Sequence, residues 1–289
     1  MSLDLDDRQR AMLQEMGVRV WLPQAAAPVV LPAAQAVMQP ARMAAKPVVA
    51  SAPEKTASHA RITAAETPSA LHLRPEGIDG MDWPALQQAV SGCQACKLCA
   101  DRKNTVFGVG QATTEPRAAP RADWLVVGEA PGENEDRTGE PFVGQAGQLL
   151  DNMLKAIGLD RRNKVYIANV IKCRPPGNRN PEPQEVAQCE PYLRRQIELL
   201  QPKIILAMGR FAVNSLLQAT LPDVHKLPLG KLRGQVHSYQ SAGRNVPVIA
   251  TYHPAYLLRN LPEKAKAWAD LCLALDLMRQ EAPQNRPAS

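Results

Sequence analysis

Trp124-Leu-Val-Val-Gly-Glu-Ala-Pro-Gly132 decides the fold of this chain. Four apolar residues in a row, closed by a glycine and a turn-forming Pro-Gly, read as a strand buried on both faces, the pattern of a parallel sheet. Three further runs share that character: Val165–Val170, Ile204–Met208 and Val246–Thr251. Between them lie stretches of helical pattern, Ala146–Ile157, Pro183–Leu200 and Gly209–Gln218, and Pro262–Gln280 reads as a closing helix. Strand and helix alternate, so the expected fold is a three-layer α/β/α sandwich. Its central sheet should be mainly parallel and four-stranded, with right-handed crossovers. Ligands of such sheets bind beyond the carboxyl ends of the strands. The loops there read Gly128-Glu-Ala-Pro-Gly132, Asn169 through Arg179, Gly209-Arg-Phe211 and His253-Pro-Ala-Tyr-Leu257.

Upstream and downstream of the first run stand two cysteine pairs, Cys93-x2-Cys96 and Cys173-x15-Cys189, separated by 76 residues. A gap that wide closes only if the fold brings the pairs together. Two thiolates at Cys-x-x-Cys spacing reach one metal centre, and a second pair completes a four-thiolate cage suited to zinc or to an iron–sulfur cluster. The loose second pair fits the larger object better, which favours [4Fe–4S]; ordinary buried thiols are the competing reading. Cys99 is near enough to compete as a ligand, and Cys272 belongs to an apolar helical stretch as a core residue.

No apolar run reaches the length of a membrane span, and the start, Met-Ser-Leu-Asp-Leu-Asp-Asp, is too acidic for a secretory signal. A cytoplasmic location is expected, where paired cysteines read as ligands rather than disulfides. The net charge is +6, and all of the excess lies in residues 81–289, with 26 basic and 20 acidic groups. That is compatible with a polyanionic partner. Residues 21–70 hold sixteen alanines and seven prolines, too little apolar area to offset chain entropy. The expected organisation is a short docking helix over 1–21, a disordered tether over 22–80, a folded domain over 81–282 and a disordered tail over 283–289.

The loops form a recognisable set. Gly128-Glu-Ala-Pro-Gly132, Glu135-Asp136, Gly139-x-Pro-Phe-Val-Gly-x-Ala-Gly147, Tyr166-Ile-Ala-Asn169-Val-Ile-Lys-Cys173-Arg-Pro-Pro and His253-Pro-Ala-Tyr-Leu-Leu-Arg-Asn260 resemble the type 4 uracil-DNA glycosylases. The resemblance runs from about Cys93 to Asp270. It implies an enzyme that flips uracil out of single- or double-stranded DNA and hydrolyses its N-glycosidic bond, leaving an abasic site. It also implies a [4Fe–4S] cluster on Cys93, Cys96, Cys173 and Cys189, with Cys99 outside that set. A monomer close to the nucleoid is expected.

Each loop then has a chemical expectation beside a plainer one. Phe142 can stack on the base, or simply pack in the core. The Asn169 amide can pair with uracil O4 and N3–H, a pattern cytosine reverses, or make an Asx turn. His253 can donate to O2 as negative charge develops there, or cap a helix. Glu129 can orient the attacking water or stabilise a cationic sugar, or serve a helix N-terminus. Ala130 stands where the water-activating branch of these enzymes carries an aspartate, so it contributes backbone and pocket wall only. Glu135 is expected where a thymine methyl would go. Leu257 is expected to fill the gap left by the flipped nucleotide, with Arg259, Arg174, Arg179 and Lys172 on phosphates. The Lys-Arg-Arg-Ile-His insertion of the relatives that trap uracil-DNA covalently is missing, so turnover is expected. Finally, residues 8–21 resemble the N-terminal tail of the psi subunit of the bacterial replicative polymerase, which docks on the clamp loader. That resemblance implies a replication protein as partner, with Trp21 as anchor.

Overall fold

The computed structural model describes residues 74–110, 119 and 122–281. The docking helix expected over 1–21, most of the tether and the tail over 283–289 lie outside the described residues. The last part of the tether stretch is described from residue 74 onward: Ile78 is buried in the core and Asp79 pairs with Arg194 at 2.7 Å.

The apolar runs form strands, and the sheet holds six of them among the described residues rather than four. They are β1 (Val109–Gly110), β2 (Trp124–Gly128), β3 (Val165–Asn169), β4 (Ile204–Met208), β5 (Val236–Ser241) and β6 (Arg244–Thr251). Their order is β1-β3-β2-β4-β6-β5. The four apolar runs are the parallel centre, and β1 and β5 add antiparallel edges. The edges escaped the sequence because neither is an apolar run. β1 has two residues, and β5 (Val-His-Ser-Tyr-Gln-Ser) is half-exposed, as an edge strand can be.

The central strands are buried on both faces, and their period of two splits the core in two. Leu125, Val127, Tyr166, Ala168, Ile205 and Ala207 face one side, where Trp83–Ser91, Pro183–Leu200 and Arg210–Leu217 pack. Trp124, Val126, Val165, Ile167, Ile204 and Leu206 face the other, under Gln145–Ala156 and Lys264–Glu281. The three-layer expectation holds. From β2 the chain passes to β3 on one side and later returns to β4 on the other. The carboxyl ends of β2 and β4 therefore diverge into a crevice, the position for a ligand in a doubly wound sheet.

Candidate active site

At that crevice lies a cleft of about 780 Å³, lined by Glu129, Ala130, Glu135, Phe142, Asn169 and His253 among others. Residues spread over 124 positions of sequence meet there because each follows or ends a parallel strand. Asn169 is the last residue of β3 and sits beside Gly128, the last of β2.

Gly128 makes the geometry possible. A Cβ at this position would lie 2.5 Å from Asn169 Oδ1 and 2.6 Å from Phe142 Cζ. Without one, the amide and the ring both close over the strand end. Phe142 is buried and takes the left-handed φ of 54°, a conformation that costs about 1–3 kcal/mol and must be held by its surroundings. Arg161 holds it: Nη2 donates to the Phe142 carbonyl at 2.9 Å, while Nε is fixed by Asp151 at 2.7 Å. Gly147 leaves space for that carbonyl, since a Cβ there would stand 1.7 Å from the oxygen. The Phe142 ring runs near-parallel to the His253 imidazole, with centroids 5.4 Å apart.

His253 caps the helix Pro254–Arg259, its Nδ1 accepting from Ala255 N–H at 3.2 Å. An accepting Nδ1 in a neutral ring puts the proton on Nε2. Desolvation, with the Arg259 charge second, brings the His253 pKa down to about 4. The capping and donor expectations are therefore compatible: one nitrogen holds the helix and the other is a neutral N–H donor. Glu129 has the opposite problem. Burial pushes its carboxyl up to about 7, because the charged form loses hydration.

Asn169 is buried, and its Oδ1 has no hydrogen-bond partner among the described residues. A buried acceptor left unpaired costs about 1–3 kcal/mol. Glu135 spends both oxygens on backbone: Oε1 accepts from Val143 N–H (2.9 Å) and Gly144 N–H (3.1 Å), Oε2 from Gly132 N–H (3.1 Å). It lines the cleft and also pins the Phe142 loop.

Three expectations are corrected. Leu257 is fully buried in the core under the sheet, so it is not placed to enter a DNA gap; Tyr256, Leu258 and Leu261 are the exposed large hydrophobic residues of that segment. Lys172 is buried too, and its ammonium is used inside the protein, so it cannot reach phosphate. Arg179 gives its guanidinium to the buried Glu185 carboxylate at 2.6 and 2.9 Å, which occupies the fork that phosphate would need. Arg174 stays partly exposed, bonded to Asn178, and Arg259 is exposed at the cleft.

Behind the β3 loop the two cysteine pairs converge. Cys93 and Cys96 lie close enough to Cys173 to act on its charge, Cys96 and Cys173 act likewise on Cys189, and none of the four is in a disulfide. Burial pushes the Cys173 thiol up to about 11 and that of Cys189 up to about 12. Among the described residues, no group of three or more His, Cys, Asp or Glu side chains is arranged to hold a metal ion. Donors already point at the sulfurs: Arg102 Nη1 at Cys173 Sγ (3.2 Å), and the backbone N–H groups of Leu98 and Lys172 at Cys96 and Cys189. Cys272, expected in the core, is half-buried and packs against the second core from its edge.

The model of the uracil DNA glycosylase superfamily matches residues 116–272. The chain belongs to that superfamily. A type-4 uracil-DNA glycosylase of Archaeoglobus fulgidus is 45% identical over 169 residues, 58% of this chain and 79% of the relative. One from Saccharolobus solfataricus is 42% identical over 186 residues, 64% and 80% of the two chains. A third, from Pyrobaculum aerophilum, is 39% identical over 193 residues, 67% and 93%. The matched span of the glycosylase superfamily includes every cleft residue discussed above, and the relatives carry the type-4 designation that the motifs suggested.

Sequence reasoning passed over Arg161 and Arg102, and it placed Gly128 and Gly147 in motifs without assigning them a role. An arginine in a polar turn looks like surface, and a glycine in a loop looks like a turn. Their roles follow only from what stands opposite them.

Proposed function

We propose that the chain excises uracil from DNA by hydrolysis of the N-glycosidic bond, as a repair glycosylase, at the cleft between β2 and β4. The observation that carries this reading is the buried Asn169 Oδ1, without a partner among the described residues, beside the Phe142 ring. Uracil brings an N3–H to that acceptor and an O4 to the amide N–H; cytosine lacks the N3 proton, so it would leave the acceptor unpaired. Phe142 stacks on the flipped base. Water adds to C1′ through its oxygen as the C1′–N1 bond breaks, and the bonding pair leaves with the base. Negative charge then grows on O2, where the His253 Nε2–H donates. Glu129 in its carboxylate form orients the water and takes its proton. Ala130 offers no carboxylate, so Glu129 is the acid group left for that task.

Arg259 and Arg174 bind backbone phosphates, and Leu258 replaces Leu257 as the side chain that fills the gap in the strand. The four cysteines fit a [4Fe–4S] cluster, since they offer four sulfurs with N–H and guanidinium donors around them. Such a group would clamp the 93–99 segment to the 173–189 loop; no step of the hydrolysis passes through it. Docking of residues 8–21 on a replication protein and action as a monomer remain part of the proposal. Incubation of the purified chain with a uracil-containing oligonucleotide, followed by alkaline cleavage of abasic sites, tests the reading. His253→Ala should lower single-turnover excision by about 100- to 1,000-fold; an undiminished rate would place the chemistry elsewhere.

A further inference from the structure

Lys172 is a buried cation that the hydrolysis does not use. Its side chain is among the largest fully buried ones in the fold. Its ammonium donates to Gln196 Oε1 at 2.6 Å, to the Asn169 carbonyl at 2.9 Å and to the Phe107 carbonyl at 3.4 Å. Gln196, itself fully buried, is held in turn by donating to the same Phe107 carbonyl at 3.0 Å. All three acceptors are neutral. They satisfy the three N–H groups without offsetting the charge, and an uncompensated buried ammonium is costly. Two other buried charges have an ionic partner, Glu185 in Arg179 and Asp270 in Arg233, whereas buried Asp136 is met by the backbone N–H groups of Lys103 and Asn104.

The groups able to supply a negative charge are sulfurs. Cys173 follows Lys172 in the chain, and the Lys172 backbone N–H is bonded to Cys189. The same residue therefore touches the sulfur site with its backbone and the base-reading residue with its side chain. Asn169 and Cys173 are separated by only three residues, and Lys172 bridges them.

We propose that Lys172 is a positioning residue that couples the cysteine-held cluster to uracil recognition. Its charge balances the anionic thiolate-bound group while its ammonium anchors the main chain of Asn169, and hence the amide that reads the base. The inference depends on the cluster reading of the four cysteines. Loss of the cluster would leave the ammonium without its counter-charge and loosen the Asn169 anchor, so the protein would lose selectivity for uracil before losing its affinity for DNA. Arg102 brings a second positive charge to the site at Cys173 and does not line the cleft.

The test uses the full chain as purified. Iron and sulfide content of the wild type decide the cluster reading by themselves. Lys172→Met then removes the charge and keeps the length, and Gln196→Leu removes one of its acceptors should the first variant fold poorly. Three readouts follow: the reduction potential of the cluster, the rate of bleaching by an iron chelator, and binding to a duplex carrying a non-hydrolysable 2′-fluoro-deoxyuridine compared with an undamaged duplex. Lys172→Met is expected to shift the potential to more negative values, because a nearby positive charge is gone. It should bleach faster and lose about tenfold or more of the preference for the uracil duplex, with undamaged-duplex binding unchanged. Gln196→Leu should weaken the preference in the same direction. An iron-containing wild type whose Lys172→Met variant keeps both potential and preference would overturn the coupling and leave the cluster intact. If only Gln196→Leu folds, its retention of wild-type preference would overturn it equally. A wild type without iron would overturn the cluster reading, and the coupling with it.

Discussion

Gly128→Ala probes the site through a single methyl group. The added Cβ would stand 2.5 Å from Asn169 Oδ1 and 2.6 and 2.8 Å from Phe142 Cζ and Cε2. Ordinary contacts sit near 3.5–4.0 Å, so both side chains must retreat by about 1 Å. Neither has easy room: Asn169 is buried at the end of β3, and the Phe142 backbone is held by Arg161. Overpacking of this kind costs about 1–3 kcal/mol. For a domain of this size that lowers Tm by roughly 2–4 °C per kcal/mol. The effect on chemistry should be larger than the effect on stability. Displacing positioning groups by about 1 Å costs on the order of 100-fold in rate. Single-turnover excision from a uracil-containing oligonucleotide, beside a thermal melt and an undamaged-DNA binding assay, separates the two. The expected result is a Tm a few degrees lower, unchanged binding to undamaged DNA and excision slowed about 100-fold. Excision within threefold of wild type, with the substitution confirmed, would refute the assignment of Phe142 and Asn169 as the pocket walls.

The Glu129 carboxyl, raised from 4.5 to about 7, should make kcat/KM climb through neutral pH, and Glu129→Gln should remove the climb and most of the rate. Stability responds with signs set by the same shifts. The raised Glu129 contributes stability below about pH 4.5 that is lost as pH rises through 7, whereas His253, lowered from 6.5 to about 4, contributes stability above 6.5 that is lost as pH falls toward 4. Melts of the Glu129→Gln and His253→Ala variants across that range should flatten the respective slopes. Arg161→Gln, which frees the Phe142 carbonyl, should slow excision about tenfold, the worth of one charge-assisted hydrogen bond, with Arg161→Lys recovering part of it. Deleting residues 1–73 should leave excision of short oligonucleotides unchanged, since every cleft residue lies beyond 128 and the cut spares Ile78 and the Asp79–Arg194 pair.

The sequence alone determined the layered architecture and the address of the site. Runs such as Trp124–Val127 and Ile204–Met208 are apolar at every position, and only a strand covered on both faces can use all of them. Strand ends then identify the loops that meet at the cleft, which is why the convergence of Glu129, Asn169 and His253 was legible from one chain. Pairing at the edges was not, because β1 is only two residues long and β5 mixes polar with apolar residues, so both look like loop until a neighbour supplies their hydrogen bonds. The direction of a side chain on a helix was also out of reach. Leu257 and Leu258 are adjacent and chemically alike, and the rotation of about 100° between them, from 3.6 residues per turn, puts one in the core and leaves the other in solvent. Lys172 and Arg179 read as phosphate binders for the same reason: sequence records a charge, and only the tertiary structure supplies Gln196 and Glu185 as the partners that use it. Pattern is a property of neighbours along the chain, while partnership belongs to residues that meet in space, and the chemistry of this cleft depends on both.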